Sequence, residues 1–157
     1  MSNPVQPPDI SDVIGYSFLS PDLLERALNR KAYCQEMGFS DNDHMDALAT
    51  LGDAVIELLI LTRLVESGEN NKGEISIRKM DLVNMSNLRR AAEEIHLNEY
   101  VHWGIGERRM HIWTSGRVLA ECTESLIGAV YLDGGLSAAE RVMDTLALTP
   151  QKALNTL

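Results

Sequence analysis

The stretch ALATLGDAVIELLILTRLV, residues 47–65, is apolar around most of its circumference when it is wound into a helix. Asp53 lies near its middle, directly after Gly52. An ionised carboxylate in an apolar interior is costly unless it meets a cation, a hydrogen-bond donor or a proton. A glycine inside a helix also costs about 0.5–1 kcal/mol relative to alanine, which indicates close approach by another element. The stretch therefore predicts a central helix that carries a functional acid where it is crossed.

A second buried helix is predicted further along the chain, from about Arg117 to Leu132, with a stop at residues 133–135, Asp-Gly-Gly. It contains Glu121 and Glu124, which are three residues apart and therefore share one face. The sequence thus places acids on two helices that are otherwise apolar.

On the first helix, Asp46 and Asp53 are separated by almost two turns and project on nearly the same side. If the helices cross at Gly52, the acids of both converge at one end of a bundle and bind a hard divalent ion through oxygen. The alternative is that acids at these spacings lie on solvated helix faces, which amphipathic helices present everywhere. Gly52 favours the first interpretation.

The remaining segments also read as helices, and no strand is indicated. One helix is expected to start at Ser20, with its hydroxyl as the cap and Pro21 in the first turn, and to carry residues 23–33. Apolar spacing in residues 74–95 predicts two helices that meet near residues 84–86. Residues 102–116 are expected to be irregular, and a final helix follows from Ser137 to about Ala147.

This organisation predicts one all-α domain in residues 11–148, after a flexible leader, residues 1–10, and before a tail, residues 149–157. A chain of 157 residues with 45% apolar residues suffices for one core. Charged residues interrupt its longest apolar runs, so no membrane span is expected. The start lacks the features of a secretory signal, and two cysteines are typical of reduced thiols. We expect a cytoplasmic protein.

The net charge of −9 argues against general affinity for nucleic acid, because such affinity needs clustered lysine and arginine. It is compatible with a site that gathers carboxylates around divalent cations. The histidines and cysteines do not form a zinc pattern. GIGE, residues 104–107, lacks the context of a nucleotide-binding loop, so no small-molecule cofactor is expected.

Four blocks of the chain, in this order and with these separations, resemble the catalytic domain of ribonuclease III. They are IGYSFLSPDLLERAL (14–28), LGDAVIEL (51–58), GEISIRKMDLVN (73–84) and LAECTESLIGAVYLDGG (119–135). The resemblance covers roughly residues 12–145. It implies the ribonuclease III endonuclease-domain helical bundle, which dimerises, holds Mg²⁺ at an acidic cluster and hydrolyses double-stranded RNA to 5′-phosphate and 3′-hydroxyl ends.

Within these blocks, the resemblance makes Asp53, Glu121 and Glu124 the metal ligands and catalytic acids, with Mn²⁺ as a possible substitute for Mg²⁺. Glu121 stands where the family has aspartate, and Ala49 stands where it has glutamate. The short Mini-III branch, which resembles this chain in lacking a double-stranded-RNA-binding domain, also has alanine there and is catalytic. Asp46, one turn before Ala49, is expected to add charge through a water, which makes it a fourth catalytic candidate.

Two further expectations concern partners. Thr50 replaces the phenylalanine that helps to pack the family's dimer, so a homodimer interface is expected to differ in detail. Lys79, which aligns with a basic position of the family, together with Arg78 and Arg117, is expected to hold RNA phosphates. The alternative for each is a solvated basic residue that balances an acidic protein.

Two functions follow from this sequence. One is an active metal-dependent endoribonuclease for double-stranded or structured RNA. The other is a non-catalytic protein of the same fold, a dimerisation or RNA–protein scaffold, with which Ala49 is consistent. Retention of three acids favours the enzyme, because facing carboxylates repel one another unless a cation relieves them.

Overall fold

The computed structural model describes residues 3–150. Over this range the chain is helical, without any strand. Its helices are α1 (Ile10–Ile14), α2 (Pro21–Leu28), α3 (Lys31–Met37), α4 (Asp46–Glu66), α5 (Lys72–Leu82), α6 (Met85–Glu94), α7 (Ile105–Arg109) and α8 (Gly116–Thr145). Short 3₁₀ turns cover Asp41–Asp43, Leu97–Glu99 and Ile112–Thr114. The all-α fold predicted from the sequence is confirmed.

The two helices that carry the acids form the centre of the molecule. α4 packs along α8, with α2 and α6 against α8 and α5 against α4. The core between them is built from fully buried aliphatic side chains such as Ile56, Ile60, Leu126 and Ile127. Burial of such side chains from both helices fixes their relative position, and with it the position of the acids.

Two glycines allow α4 and α8 to approach closely. A Cβ at Gly52 would clash with the backbone carbonyl oxygen of Glu124 and would lie 3.0 Å from the backbone nitrogen of Gly128. A Cβ at Gly128 would in turn clash with the carbonyl oxygen of Leu48. The backbones are therefore in direct contact, and the crossing predicted at Gly52 is the one that the structure contains.

α8 is sharply kinked at Gly135, which has φ 83° and ψ −176°. The first of these angles lies in the left-handed region, where a glycine has no steric penalty. The stop predicted at residues 133–135 therefore falls at a real break in the helical backbone, and the predicted final helix is the segment of α8 after it. Just before the kink, Asp133 accepts hydrogen bonds from the Tyr16 hydroxyl and from the backbone N–H groups of Leu19 and Ser20, at 2.6, 2.8 and 2.9 Å.

The start of α2 differs from the prediction. Pro21 is its first residue, as expected, but the Ser20 side chain makes no capping hydrogen bond. The Asp133 carboxylate accepts from the Ser20 backbone instead. Burial works against the charged form of Asp133, but the hydrogen bonds from Tyr16, Leu19 and Ser20 together hold its pKa below the ordinary range. α8 thus stabilises the N-terminal end of α2.

The prediction of a single helix over residues 23–33 is wrong. The chain is extended at Asn29 and then begins α3. The backbone there bonds to a distant segment. The His102 N–H donates to the Leu28 carbonyl at 2.8 Å, and the Arg30 N–H donates to the His102 carbonyl at 3.2 Å. The buried Asn29 amide also donates to the Asp43 carbonyl at 3.1 Å. These contacts replace the helical hydrogen bonds and set the direction of the Arg30 side chain.

The remaining boundaries agree closely with the sequence. α5 and α6 meet at residues 83–84, as predicted, and residues 102–116 contain the short α7 and a 3₁₀ turn. α1 begins at Ile10, where the Asp9 side chain accepts from the Ser11 N–H. The predicted leader and tail lie partly outside the described residues. Across residues 3–150, no helix has the length and apolarity that crossing a bilayer requires.

Candidate active site at the crossing of α4 and α8

Three acids meet beside the contact between the two central helices. Asp53 of α4 and Glu121 and Glu124 of α8 line an open cleft of about 420 Å³. The same three residues also line a second open cleft, of about 370 Å³, towards α6 and Arg117. The structure therefore brings together the acids that the sequence selects as metal ligands.

The environment of Glu124 shows how crowded these carboxyl groups are. Burial, and then the negative charge of Asp53 and a hydrogen bond with its side chain, raise the pKa of Glu124 from 4.5 to about 7, with a further contribution from Glu121. A negative charge beside a buried carboxyl group disfavours its ionised form. A divalent cation bound at these acids would favour the ionised form instead.

Glu121 is held between two arginines. Its Oε2 lies 3.5 Å from Nη1 of Arg30, and its Oε1 lies 3.9 Å from Nε of Arg117. The Arg30 side chain is 14% exposed, whereas that of Arg117 is 83% exposed and extends into solvent. Glu121 itself is 41% exposed in both pairs, so the contact with Arg117 is the more strongly screened because its arginine is also in solvent.

The other predicted positions on α4 line the rim of the 420 Å³ cleft. Asp46 and Ala49 both contribute to it, and Thr50 lies beside them. Asp46 is exposed, and its carboxylate lies 3.8 Å from Nδ1 of His44. Ala49 presents only a methyl group where a family glutamate is expected. The carboxylates of this cleft are therefore Asp46, Asp53, Glu121 and Glu124.

The three predicted RNA-binding residues fall in different places. Arg117 lines the second cleft beside the acids. Lys79 pairs at 2.6 Å with Glu57, which lies one turn beyond Asp53 on α4. Arg78 is not brought to the acids: it lies 3.7 Å from Glu69 and lines a separate cleft with Arg63.

The donor set suits a hard cation. Carboxylate oxygens are the ligands that Mg²⁺ prefers, and Mg²⁺ needs only one or two of them because it keeps several waters. Within residues 3–150, no group of three or more histidine, cysteine or acidic side chains is arranged to hold a metal ion as the side chains stand. Glu121 contacts an arginine on either side of it, and Glu124 lies beside the charge of Asp53. Asp53, Glu121 and Glu124 are the side chains that would hold such an ion.

Comparison with known proteins identifies the family of this chain. The family model described as Ribonuclease-III-like matches residues 20–150, which is most of the chain. The chain belongs to the ribonuclease III-like family. The resemblance stated from the four sequence blocks is therefore confirmed.

Curated relatives are named Ribonuclease 3. That of Syntrophobacter fumaroxidans is 36% identical over 87% of this chain and 57% of its own length. That of Oleidesulfovibrio alaskensis is 34% identical over 85% of this chain and 58% of its own length. The chain thus spans somewhat more than half the length of these ribonuclease III relatives.

Solved structures agree on the fold. A nuclease domain of ribonuclease III from Campylobacter jejuni, described for structural flexibility in a region involved in dimer formation, superposes with a TM-score of 0.78 at 24% identity. The match covers 87% of this chain and 92% of that domain. The helical bundle of this chain is therefore the fold of a ribonuclease III nuclease domain.

Two residues next to the site had no signal in the sequence. Arg30 and Glu107 are joined by a salt bridge of 2.9 Å, and Arg30 reaches Glu121. Glu107 falls in GIGE, which has no role as a nucleotide-binding loop, and Arg30 falls in a stretch that reads as ordinary helix. The pairing of such an arginine is recognised only when the fold brings its acidic partners to it.

Proposed function

We propose that this chain is a metal-dependent endoribonuclease that hydrolyses phosphodiester bonds of double-stranded or structured RNA and leaves 5′-phosphate and 3′-hydroxyl ends. Membership of the ribonuclease III-like family supports the class of reaction. The observation that carries the proposal is the convergence of Asp53, Glu121 and Glu124 on one open cleft where α4 and α8 cross. Acids gathered in this way repel one another unless a cation binds to them.

Asp53 and Glu124, with Glu121, would hold one or two Mg²⁺ ions. When bound, Mg²⁺ supplies a water of lowered pKa and stabilises charge on the phosphoryl oxygens. The chain's own residues fix the geometry: the glycine contact sets Asp53 opposite Glu124, and the arginines orient Glu121. Asp46, at the rim of the same cleft, would hold a water and add negative charge in place of the acid absent at Ala49.

RNA would lie across the acids with its backbone against basic side chains. Arg117 is placed for this role because it is largely exposed and lines the cleft beside the acids. Lys79 pairs with Glu57, which lies one helical turn after Asp53. Arg78 pairs with Glu69 instead and would contact RNA further from the acids. Recognition of a duplex by shape and by 2′-hydroxyl groups needs few base contacts.

The protein would work as a homodimer in the cytoplasm, without a small-molecule cofactor. Dimer formation of the Campylobacter jejuni nuclease domain and the exposed apolar side chains of the contacting helices α4 and α5 support the assembly. Those side chains are Leu58, Val65, Ile77 and Met80. Contiguous patches of exposed apolar side chains mark protein–protein interaction sites.

Incubation of the purified protein with end-labelled duplex RNA tests the proposal, with Mg²⁺ in one reaction and a chelator in the other. Internal cuts that need the metal, with ends that a ligase can rejoin directly, are the expected result. Mn²⁺ in place of Mg²⁺ should support the same cuts. Intact duplex after incubation with either metal would refute the proposed endoribonuclease activity.

Ala49 favours one other candidate, a non-catalytic dimerisation or RNA–protein scaffold of the same fold, because the site lacks the carboxylate of the family pattern. A scaffold would bind RNA without cutting it and would bind divalent metal weakly. The substitution Ala49→Glu separates the two candidates further. If the wild type cuts RNA, Ala49→Glu should raise its cleavage rate. If the wild type does not cut and Ala49→Glu does, the result would favour the scaffold as the function of the natural chain.

A further inference from the structure

Arg30 is a partly buried cation at one edge of the acid site, and it contacts two carboxylates. Its Nε and Nη2 donate to Oε2 of Glu107 at 3.1 and 2.9 Å. Its Nη1 lies 3.5 Å from Oε2 of Glu121. Burial works against its charge, but the bonds to Glu107 and the charge of Glu121 raise its pKa further. A guanidinium presents its donors in a rigid fork, so one residue can join the two acids.

The surroundings of Arg30 hold the fork in place. The guanidinium carbon lies 5.7 Å from the ring centre of Trp103, and Nη1 lies 3.8 Å from Sδ of Met45. Trp103 is buried and donates from its indole N–H to the Asn98 carbonyl at 2.9 Å. Glu107 also accepts from the Gly104 N–H at 3.2 Å, which fixes the far end of the pair.

Glu121 needs such support more than a shorter acid would. A glutamate has one methylene more than an aspartate, and therefore one more rotatable bond to restrict when its carboxylate is ordered. The only other cation that contacts it among the described residues is Arg117, at 3.9 Å and largely in solvent. Ordering of this carboxylate therefore depends chiefly on Arg30.

We propose that Arg30 is a positioning residue that links Glu107 to Glu121 and holds the Glu121 carboxylate in the acid cleft. This inference rests on the proposed function, since it concerns how the acids receive a divalent cation. Arg30 itself does not face either cleft, so it acts through Glu121. Partners that orient a metal ligand typically contribute about 10- to 100-fold to metal affinity.

The chain offers a matched control for a merely structural arginine. Arg63 has a side chain that is 17% exposed and pairs with Glu140 and Asp144 at 3.3 and 2.8 Å. Its burial and its two acidic partners therefore match those of Arg30. It lies ten residues after Asp53 on α4, roughly 15 Å along the helix. Arg63→Gln breaks a comparable ion pair away from the acid cleft.

The experiment measures Mn²⁺ binding by calorimetry and thermal unfolding in chelator, with kcat and KM for duplex RNA alongside. The variants are Arg30→Gln, Arg30→Lys, Arg63→Gln, Glu121→Gln and the double variant Arg30→Gln/Glu121→Gln. We expect Arg30→Gln to weaken Mn²⁺ binding by about 10- to 100-fold and to lower kcat more than it raises KM. Arg30→Lys should recover only part of the affinity, because one ammonium cannot replace the fork.

The double variant identifies the route of the effect. If Arg30 acts through Glu121, the double variant binds Mn²⁺ no more weakly than Glu121→Gln alone. Arg63→Gln should unfold at a lower temperature and bind Mn²⁺ as the wild type does. Equal weakening of Mn²⁺ binding by Arg63→Gln would assign the effect to general stability and overturn the proposal.

Failure of the inference is distinct from failure of the function. A wild type that binds Mn²⁺ and cuts RNA, together with a folded Arg30→Gln of unchanged affinity and kcat, overturns only the role of Arg30. If Arg30→Gln does not fold, Arg30→Lys becomes the test of the positioning role. Unchanged Mn²⁺ affinity in Arg30→Lys would then overturn that role. A wild type that neither binds Mn²⁺ nor cuts RNA defeats the proposed function and this inference with it.

Discussion

At the scale of single residues, the site depends on a conflict between charges. Burial and the neighbouring charge of Asp53 raise the pKa of Glu124 to about 7. Under the proposed function, the same crowded carboxylates would provide oxygen ligands for a cation. Stability and metal binding would then be coupled at this one carboxyl group.

Removal of either central carboxylate should abolish cleavage without unfolding the protein. We expect Asp53→Asn and Glu124→Gln to lower kcat for duplex RNA at least about 100-fold, since even outer partners of metal ligands cost 10- to 100-fold. Circular dichroism before and after heating checks that the variants fold. Asn42→Asp, which changes an exposed position outside the cleft, serves as the control. Wild-type cleavage by either variant would show that the acid was wrongly assigned.

The raised pKa of Glu124 also predicts how stability depends on pH in chelator. The folded state holds the Glu124 proton up to about pH 7, whereas an ordinary glutamate releases it near 4.5. Between these values the folded state binds more protons, so its stability falls as the pH rises. Glu124→Gln removes this loss. At pH 8 its free energy of unfolding should therefore exceed that of the wild type by on the order of 1 kcal/mol, which corresponds to about 2–4 °C in melting temperature. Equal pH profiles for the two proteins would contradict the raised pKa.

At the scale of elements, the contact between α4 and α8 is made by backbone atoms. Gly52 lies against the Glu124 carbonyl, and Gly128 lies against the Leu48 carbonyl. No side-chain rotation can relieve a Cβ placed there, so one helix must move. The positions of Asp53 and Glu124 are set by this contact, because each acid lies within one residue of it.

Gly52→Ala should therefore destabilise the fold. Alanine gains about 0.5–1 kcal/mol in helix propensity, but overpacking typically costs 1–3 kcal/mol, and a backbone clash belongs at the upper end of that range. We expect a net loss of about 2 kcal/mol in the free energy of unfolding, measured in urea. Gly106→Ala is the matched control, because nothing lies within 4 Å of a Cβ at Gly106. Equal free energies of unfolding for the two variants would mean that α4 and α8 are not in backbone contact at Gly52.

The elements that the sequence predicts correctly are those defined by local signals. α4, α5 and α6 follow from apolar spacing and from polar loops, and Gly52 with its neighbouring acid indicates the crossing. The interruption between α2 and α3 lacks such a signal, because the Asn29 side chain bonds to His102, 73 residues away. Arg30 was missed for the same reason, since its acidic partners are 77 and 91 residues distant.

At the scale of the whole molecule, the proposed function requires an acidic protein to bind a polyanion. The net charge of −9 gives little long-range attraction for RNA, so the few basic side chains near the acids would have to carry the contact. Arg117 is the most exposed of those that the structure places beside the acids. Lys79 is partly neutralised by its 2.6 Å pair with Glu57.

These positions predict the salt dependence of RNA binding. Arg117→Gln should reduce the slope of log binding constant against log salt concentration by about 1, because one phosphate contact is lost. Lys79→Gln should reduce it by less, since Glu57 already competes for its charge. Titration in Ca²⁺, with polarisation readout, provides the slopes. Arg90→Gln, which breaks a pair with Glu94 on α6, should leave the slope unchanged. An unaltered slope for Arg117→Gln would exclude Arg117 from the interface.

The acids line two clefts, and both are open to solvent. A polymer strand can therefore enter on one side of the carboxylates and leave on the other without presenting a terminus. Covalently closed RNA circles that contain a paired stem should be opened as fast as the same stem in linear form, which gel mobility resolves. Degradation that required a free end would mean that one side of this passage is blocked.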